Sequence, residues 1–392
     1  MPLPKRIVII AGEESGDIHA ANMVRELLIK NPTYQITGIG GKHMQEAGVE
    51  LVSDLARYGV TGLTEVIRHA RVIKKAYKAI KAHLELTKPD LLILVDYPGF
   101  NLRLAKFAKL KLGLRIVYYI SPQIWAWKAN RINTIRRCID KMAVILPFEK
   151  NIYELADVPV SFVGHPLVNK IPDYNDVAAL RAKLNLPLDK KIVAMLPGSR
   201  RNEIERHLPV LVETAAKLSA TIENLHFVIP IAETLDPAMI TSYFANSKVA
   251  ISFIQGQAID VAASSDCVVV ASGTASLECA LLIKPMCIIY KTSLLTYVAA
   301  TKLIKVKYLG LCNLLQNELI VPELLQYDCN SDELTIMLME LLTNSEKIER
   351  MQLKLQKLKH SLSAEQADSS IAELVNLELQ NINPLSCDGS TH

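Results

Sequence analysis

The sequence predicts an α/β protein of two domains, each built on a parallel sheet, that face one another across a cleft. Short apolar runs alternate with helical patterns along most of the chain, as is typical of parallel sheets covered by helices on both faces. A chain of 392 residues with 50% hydrophobic content can form two or three domains with sizeable cores. A polar, turn-rich segment after Asn169 divides the series, so we expect domains at 1–169 and 170–361.

Composition and charge argue against several classes of protein. The net charge of +4 is too small to indicate a nucleic-acid-binding protein. The seven cysteines are scattered and never spaced as CxxC, so we expect neither disulfides nor a zinc site, and reduced thiols in a cytoplasm are the simplest account. No signal-peptide pattern opens the chain, and no apolar run approaches the ~20 residues that span a bilayer. We therefore expect a cytoplasmic protein that meets a membrane, if at all, at its surface.

The first predicted strand, Arg6 to Ala11, ends in the sequence GEESGD, and a helical pattern follows from Ile18. The glycines do not match the dinucleotide-binding fingerprint here or at the later GIGGKH, so a nicotinamide enzyme is not expected. Ligands bind at the carboxyl ends of parallel strands, so we expect Gly12, Ser15 and Gly16 to face the cleft. The alternative is an ordinary turn of small residues.

A basic, amphipathic helical pattern runs from Val60 to Leu86. Its apolar positions are Leu63, Val66, Ile67, Ala70, Ile73 and Tyr77, and its basic positions are Arg68, Arg71, Lys74, Lys75, Lys78 and Lys81. Such a segment can lie in an anionic membrane interface, with its apolar face in the acyl boundary and its lysines among the headgroups. The alternative is a surface helix with a solvated basic face.

Asp90 to Val95 reads as a buried parallel strand that delivers Asp96 into the sequence DYPGFN. A carboxylate at the carboxyl end of a central strand lies where chemistry occurs in such folds, and it could act as a general base toward a hydroxyl. Asn101, in the same motif, is expected to line the cleft. The alternative role for Asp96 is a turn or helix cap, because Asp before Pro-Gly is also good turn chemistry.

The next predicted strand, Arg115 to Ile120, leads into SPQIWAWK, which holds both tryptophans of the chain. Gln123 and Trp125 suit recognition of a sugar or an acyl chain, although core packing also explains tryptophans. Two further strands follow, and His165 after the second of them is interpreted as a hydrogen-bonded hinge residue.

The second domain is predicted to repeat the βα series. Its strands are Ile192 to Leu196, His226 to Pro230, Val249 to Ile254, Cys267 to Ala271 and Met286 to Tyr290. The first strand breaks at PGSRR and a long helix follows. Gly198 and Ser199 supply backbone amides at the helix N-terminus, and Arg200 and Arg201 supply guanidinium donors, so the turn is suited to phosphate. The alternative is an ordinary turn with solvated arginines.

The sequence SGTASLE forms a second turn of this kind. Ser272, Thr274 and Ala275 can hold a diphosphate through hydroxyl and amide groups, and Glu278 can accept hydrogen bonds from ribose hydroxyls. Two such turns in one domain indicate a nucleotide diphosphate. No DxD motif is present, so no metal is expected, and arginine with helix dipoles would stabilise the leaving group.

The motifs AGEESGD, DYPGFN, SPQIWAWK, VGHPL, LPGSRRNEI and SGTASLE occur in the order and spacing of the lipid-A-disaccharide synthase family, which the chain resembles over nearly its whole length. The resemblance implies two Rossmann-like domains in the GT-B arrangement, with a last helix at about 362–382 that packs back on the first domain. It also implies that Asp96 is the essential acid and that Arg200 serves the donor diphosphate. Near the nucleotide it implies Asn313, Glu323 and Gln326. Glu14 and Cys312 depart from the family pattern.

The implied reaction transfers 2,3-diacylglucosamine from UDP to the 6-hydroxyl of 2,3-diacylglucosamine 1-phosphate, with inversion and without a cofactor. The implied site is the cytoplasmic face of the inner membrane, which the chain would meet through Val60 to Lys81 or through Leu294 to Tyr308. The sequence leaves open whether the protein forms a homodimer. The alternatives are a UDP-GlcNAc 2-epimerase or a peptidoglycan-type GlcNAc transferase of the same architecture, or a membrane-surface adaptor without activity.

Overall fold

The computed structural model describes residues 4–56, 69–125, 128–293 and 307–381. The chain divides into two units: Met1–Pro166 with Leu362–His392 form the first, and Leu167–Ser361 form the second. Among the helices in the described ranges, none combines the length and apolar character needed to cross a bilayer.

The helices and strands follow the alternation that the sequence predicts. The strands are β1 (Arg6–Ala11), β2 (Gln35–Gly40), β3 (Glu50–Asp54), β4 (Leu91–Val95), β5 (Arg115–Tyr119), β6 (Lys141–Val144), β7 (Val160–Phe162), β8 (Lys191–Leu196), β9 (Leu225–Ile231), β10 (Ile251–Gln255), β11 (Cys267–Ala271), β12 (Met286–Tyr290) and β13 (Glu323–Leu325). The helices are α1 (Glu14–Lys30), α2 (Lys42–Glu46), α3 (Ala70–Thr87), α4 (Pro98–Leu112), α5 (Ile132–Cys138), α6 (Pro147–Glu154), α7 (Val177–Lys183), α8 (Arg201–Thr221), α9 (Pro237–Thr241), α10 (Ala258–Ser264), α11 (Thr274–Leu281), α12 (Leu311–Gln316), α13 (Ser331–Thr343), α14 (Ser345–Ser361) and α15 (Ile371–Gln380).

The first unit is built on a seven-stranded parallel sheet in the order β3-β2-β1-β4-β5-β6-β7. Its central strands are continuous apolar runs because helices cover both faces. Side chains alternate between the faces along β1. Ile7 and Ile9 join a core cluster that includes residues of α1 and α15, whereas Val8 and Ile10 join a cluster that includes residues of α3 and α4.

The last described helix, α15, packs in the first unit, although the whole second unit separates it from the rest of that unit in sequence. Arg115 pairs with Glu378 at 2.7 Å between guanidinium and carboxylate, and the Tyr34 hydroxyl donates to the Asn376 side chain at 2.7 Å. The apolar face of α15, which includes Val375, completes the core beside α1.

The second unit is built on a six-stranded parallel sheet in the order β10-β9-β8-β11-β12-β13. In each parallel sheet there is a pair of neighbouring strands from which the chain crosses to opposite sides of the sheet. From β1 the chain continues to β2 on one side and from β4 to β5 on the other, and β8 and β11 repeat this arrangement. Open α/β sheets bind ligands at the carboxyl ends of such strand pairs. Asp96 and the PGSRR and SGTASLE turns all follow strands of these pairs.

The structure corrects the extent of the first predicted loop. Helix α1 begins at Glu14, so Ser15 and Gly16 lie within a helix instead of a loop. The Asp17 carboxylate is buried and accepts backbone N–H groups at the start of α2, from Gly41 at 2.7 Å and from Met44 at 3.1 Å. A sequence rich in glycine and acidic residues looks like a turn, and this long-range anchor is what the local pattern did not reveal.

Candidate active site

Asp96 lies directly after β4, in a backbone conformation that side chains rarely adopt. Asp96 and Tyr97 both have a φ of 45°, which places two consecutive residues other than glycine in the left-handed region. The surroundings hold this conformation. The Asp96 N–H donates to the Tyr119 carbonyl at 3.0 Å, and the Asp96 carbonyl accepts from the Tyr118 hydroxyl at 2.6 Å and from the Asn101 amide at 2.7 Å. Strain of this kind is typical of functional sites.

Asn101, predicted to line the cleft, is fully buried, and its side chain holds the backbone of Asp96 through the hydrogen bond to the Asp96 carbonyl. Its Nδ2 group also donates to the Val95 carbonyl at 3.1 Å, so one amide holds the carbonyls of Val95, at the end of β4, and of Asp96. Gly12 lies against the same turn. A Cβ atom at Gly12 would lie 2.2 Å from the Tyr97 ring, so only glycine allows the end of β1 to approach Tyr97 this closely.

Three carboxyl groups with raised pKa values belong to this end of the sheet. Burial raises the pKa of Asp96 to about 6. Burial, and next the charge of Asp96, raise the pKa of Glu13 to about 7. Burial also raises the pKa of Glu149 to about 7, against hydrogen bonds from Ser121 and Trp125 that lower it. A carboxylate whose pKa lies near neutrality is suited to accept a proton from a substrate hydroxyl.

Glu149 is a residue that the sequence analysis missed. Its Oε1 atom accepts the Ser121 hydroxyl at 2.6 Å and the Trp125 indole N–H at 3.0 Å. The Trp125 ring packs edge-on against Phe148 with centroids 5.2 Å apart. The predicted recognition residue Trp125 is therefore anchored by its polar edge, while Gln123 beside it is exposed. Trp127 lies outside the described residues.

In the second unit, the two predicted phosphate turns line one cavity of about 440 Å³ at the carboxyl ends of the β8–β11 strand pair. The predicted residues in its lining are Gly198, Ser199, Arg200, Ser272, Thr274 and Ala275. Glu203, Glu233 and Gln257 also line it and were not predicted as site residues. A cavity of this size at a strand pair of this kind is suited to a small ligand.

The PGSRR turn already holds an anion of its own. The Glu203 carboxylate accepts the backbone N–H of Ser199 at 3.2 Å and of Arg200 at 3.4 Å, and it pairs with the Arg200 guanidinium at 2.9 Å. Of the donors that the sequence pattern assigned to phosphate, the Ser199 amide and the Arg200 guanidinium are thus engaged with Glu203. Arg201 is paired with Glu205 at 2.8 Å and does not belong to the cavity lining.

The SGTASLE turn differs because no side chain caps α11. Gly273 precedes the helix with a φ of 153°, and Thr274 and Ala275 line the cavity. Across the described residues, no hydrogen-bond acceptor pairs with the backbone N–H of either residue. This end of the cavity therefore offers open amide donors at a positive helix terminus.

Four other predicted residues do not belong to the cavity lining. Glu278 is half-buried, and burial raises its pKa while Lys170 opposes the shift. Asn313 donates to the Val321 carbonyl at 2.8 Å and to Glu323 at 2.7 Å, and Glu323 also accepts the Gly310 N–H at 2.9 Å. The Gln326 side chain forms two hydrogen bonds with the backbone of Thr292, just after β12. Its Nε2 atom donates to the Thr292 carbonyl at 3.0 Å, and its Oε1 atom accepts the Thr292 N–H at 3.1 Å. Their contact with a nucleotide stays a prediction.

His207 on α8 is a second buried polar residue that the sequence analysis missed. Its Nδ1 atom lies 2.7 Å from the Pro197 carbonyl, and its Nε2 atom accepts the Lys291 N–H at 3.0 Å. This pairing fixes a neutral ring with the proton on Nδ1, in agreement with burial as the main cause that lowers its pKa. His207 thus joins the PGSRR turn to the end of β12.

Comparisons with known proteins agree with this arrangement. The chain is similar to CalG4, the calicheamicin glycosyltransferase, with a TM-score of 0.60 and 14% identity over 98% of this chain and 100% of that one. It is also similar to a UDP-GlcNAc 2-epimerase from Neisseria meningitidis bound to UDP-GlcNAc, with a TM-score of 0.59 and 13% identity over 96% of this chain and 99% of that one. These likenesses concern the fold alone, and the predicted class of two parallel-sheet α/β domains of GT-B type is confirmed.

Sequence comparison is more specific. The chain is 60% identical over 383 residues to lipid-A-disaccharide synthase 1 of Legionella pneumophila (strain Lens), which covers 98% of this chain and 100% of that protein. The family model described as Lipid-A-disaccharide synthetase matches residues 7–375. With nearly the whole chain matched, this protein belongs to the lipid-A-disaccharide synthetase family.

Proposed function

We propose that the protein is an inverting glycosyltransferase of lipid A biosynthesis. It transfers 2,3-diacylglucosamine from its UDP derivative to the 6-hydroxyl of 2,3-diacylglucosamine 1-phosphate, and the products are the lipid A disaccharide 1-phosphate and UDP. The observation that carries the proposal is Asp96, held in a strained turn after β4 with a pKa of about 6. Family membership supplies the substrates.

Asp96 is the general base of this reaction. Its carboxylate takes the proton of the 6-hydroxyl while that oxygen forms a bond to C1 of the donor sugar. The bond from C1 to the UDP oxygen breaks with its electron pair, and UDP leaves. An α-linked donor gives a β-linked product in one displacement, so no covalent sugar intermediate forms.

The second unit holds UDP. The open amides of Thr274 and Ala275 face the diphosphate, and the N-terminus of α11 favours its negative charge. Arg200 adds a planar guanidinium when it exchanges Glu203 for a phosphate oxygen. These groups stabilise the charge that grows on the leaving diphosphate. Glu278, Asn313, Glu323 and Gln326 are proposed to act around this site.

The protein works on the cytoplasmic face of the inner membrane as a peripheral protein. Both proposed substrates carry acyl chains, and the described part of the basic segment places Arg71, Lys74 and Lys75 on the exposed surface of α3. Residues 57–68 of the predicted segment and 294–306 of the second predicted stretch lie outside the described residues. No step of the proposed reaction requires a second copy of the chain.

The test is acceptor-dependent UDP release by the purified protein with both diacyl substrates in detergent micelles. We expect UDP and a β-1,6-linked disaccharide 1-phosphate in equal amounts, identified by mass spectrometry and NMR. Release of UDP without acceptor, or an epimerised donor, would favour the 2-epimerase alternative that the fold also allows. Absence of both activities would favour the adaptor.

A further inference from the structure

The first unit contains a second cavity, of about 630 Å³, between α3 and α4. We call it the α3–α4 groove. Among the described residues, its lining includes four basic residues, Lys74, Lys78, Lys81 and Arg103, and no acidic residue. In the described part of the chain, none of the four forms a salt bridge. The groove is therefore strongly electropositive.

The floor of the groove is aromatic. The Tyr77 and Phe100 rings meet edge to face with centroids 5.4 Å apart, and Phe100 stacks on Tyr97 with centroids 5.7 Å apart. The row ends at Tyr97, which lines the groove and directly follows Asp96 in sequence. The Arg103 guanidinium lies 5.6 Å from the centre of the Tyr77 ring, which fixes a cation at the side of this apolar floor.

An apolar floor with several cations along it matches a lipid that carries a phosphate. The donor diphosphate is proposed to bind in the second-unit cavity, and the phosphate of the acceptor requires cations of its own. We propose that the α3–α4 groove binds the acceptor lipid, with Lys78 and Arg103 on its phosphate and its apolar part on Tyr77 and Phe100. This inference rests on the proposed function.

A general membrane surface is the competing explanation, because cations on α3 and α4 also attract anionic lipids. The two helices supply a matched control. Lys75 on α3 and Lys106 on α4 are exposed and do not line the groove. The pair Lys78→Gln with Arg103→Gln and the pair Lys75→Gln with Lys106→Gln therefore remove the same charge from the same helices, inside and outside the groove.

The experiment measures KM for acceptor and donor, and binding to phosphatidylglycerol vesicles, for both pairs. We expect the groove pair to raise the acceptor KM about tenfold or more, as expected for losing hydrogen bonds to a charged group, with the donor KM unchanged. The outside pair should leave the acceptor KM within about twofold. With an acceptor glycoside that lacks the phosphate, the groove pair and wild type should have equal KM values.

Equal effects of the two pairs, in parallel with lost vesicle binding, would replace the groove with a general membrane surface. An unchanged acceptor KM in the groove pair would overturn the inference while the proposed function stands. Lys78→Gln alone keeps the Arg103 contact with Tyr77 and guards against a misfolded double variant. If wild type transfers no sugar, the proposed function fails, and direct titration with micellar 2,3-diacylglucosamine 1-phosphate still decides whether the groove binds it.

Discussion

The Glu203 carboxylate lies 3.2 Å from the backbone nitrogen of Ser199, at the turn where a diphosphate is expected to bind. It occupies donors that a phosphate group would otherwise use, and it neutralises Arg200 through the same side chain. An internal anion thus closes the turn, and under the proposed function UDP would have to displace it.

Glu203→Gln should raise UDP affinity. The amide oxygen can still accept from the turn, but it carries no charge to repel the diphosphate or to retain Arg200. We expect a decrease in the UDP Kd of about three- to tenfold, or roughly 1 kcal/mol, by calorimetry. Glu205→Gln, on the same helix and outside the cavity lining, is the control and should leave the Kd unchanged. A lower melting temperature with an unaltered Kd would make Glu203 a helix cap only.

Arg200→Ala should weaken UDP binding about tenfold or more and slow turnover, because charge grows on the diphosphate as the glycosidic bond breaks. Arg200→Lys should recover only part of both, since an ammonium group is not a planar fork. Titration with UDP and steady-state kinetics test this. Arg201→Ala is the matched control. If it has the larger effect, the assignments of the two arginines must be exchanged.

Asp96→Asn should lower turnover by ~10²-fold or more while UDP affinity stays within a few fold, because the amide keeps the shape of the carboxylate but accepts no proton. In wild type, activity needs the ionised carboxylate, so kcat/KM should fall as the pH drops below the Asp96 pKa of about 6. Pre-steady-state and pH-rate measurements test both points. A variant that keeps more than about a tenth of the wild-type rate would exclude Asp96 as the base.

Glu13→Gln should stabilise the protein at high pH. The folded state raises the pKa of Glu13 from its ordinary 4.5 to about 7, so the folded protein binds the proton more tightly than the unfolded chain does. The contribution of Glu13 to the free energy of unfolding is fully present below pH 4.5 and is lost as the pH rises through about 7. The fall in melting temperature between pH 5 and pH 8 should therefore shrink in Glu13→Gln. Glu14, which is exposed, is the control. If Glu14→Gln reduced the fall in melting temperature as much as Glu13→Gln does, Glu13 would not be its cause.

Local patterns were sufficient where the physics is local. The central strands are continuous apolar runs and Asp96 stands at the end of one of them, so both follow from the sequence. β2 was not predicted, because its glycines weaken the strand signal. A Cβ atom at Gly38 would lie 1.9 Å from the Ile9 carbonyl oxygen, so close packing against β1 requires the residue that obscures the pattern.

The missed site residues depend on contacts that no short pattern encodes. Glu203 was recognised as an acid in a first helical turn, but the sequence did not show that it folds back on Ser199. His207 and Glu149 are polar residues on buried helix faces, where periodicity predicts apolar packing. A polar residue at such a position is the one available signal, and it indicates a buried partner without naming it.

The position of α15 has a consequence for how the chain is made. The first unit needs the apolar face that includes Val375 to complete the core beside α1, yet the ribosome delivers these residues only after the entire second unit has been synthesised. During synthesis of the second unit, the apolar surface beside α1 in the first unit therefore stays uncovered by α15. Any stop codon between Pro166 and Ile371 therefore removes α15 from the first unit, although α15 begins more than two hundred residues after Pro166.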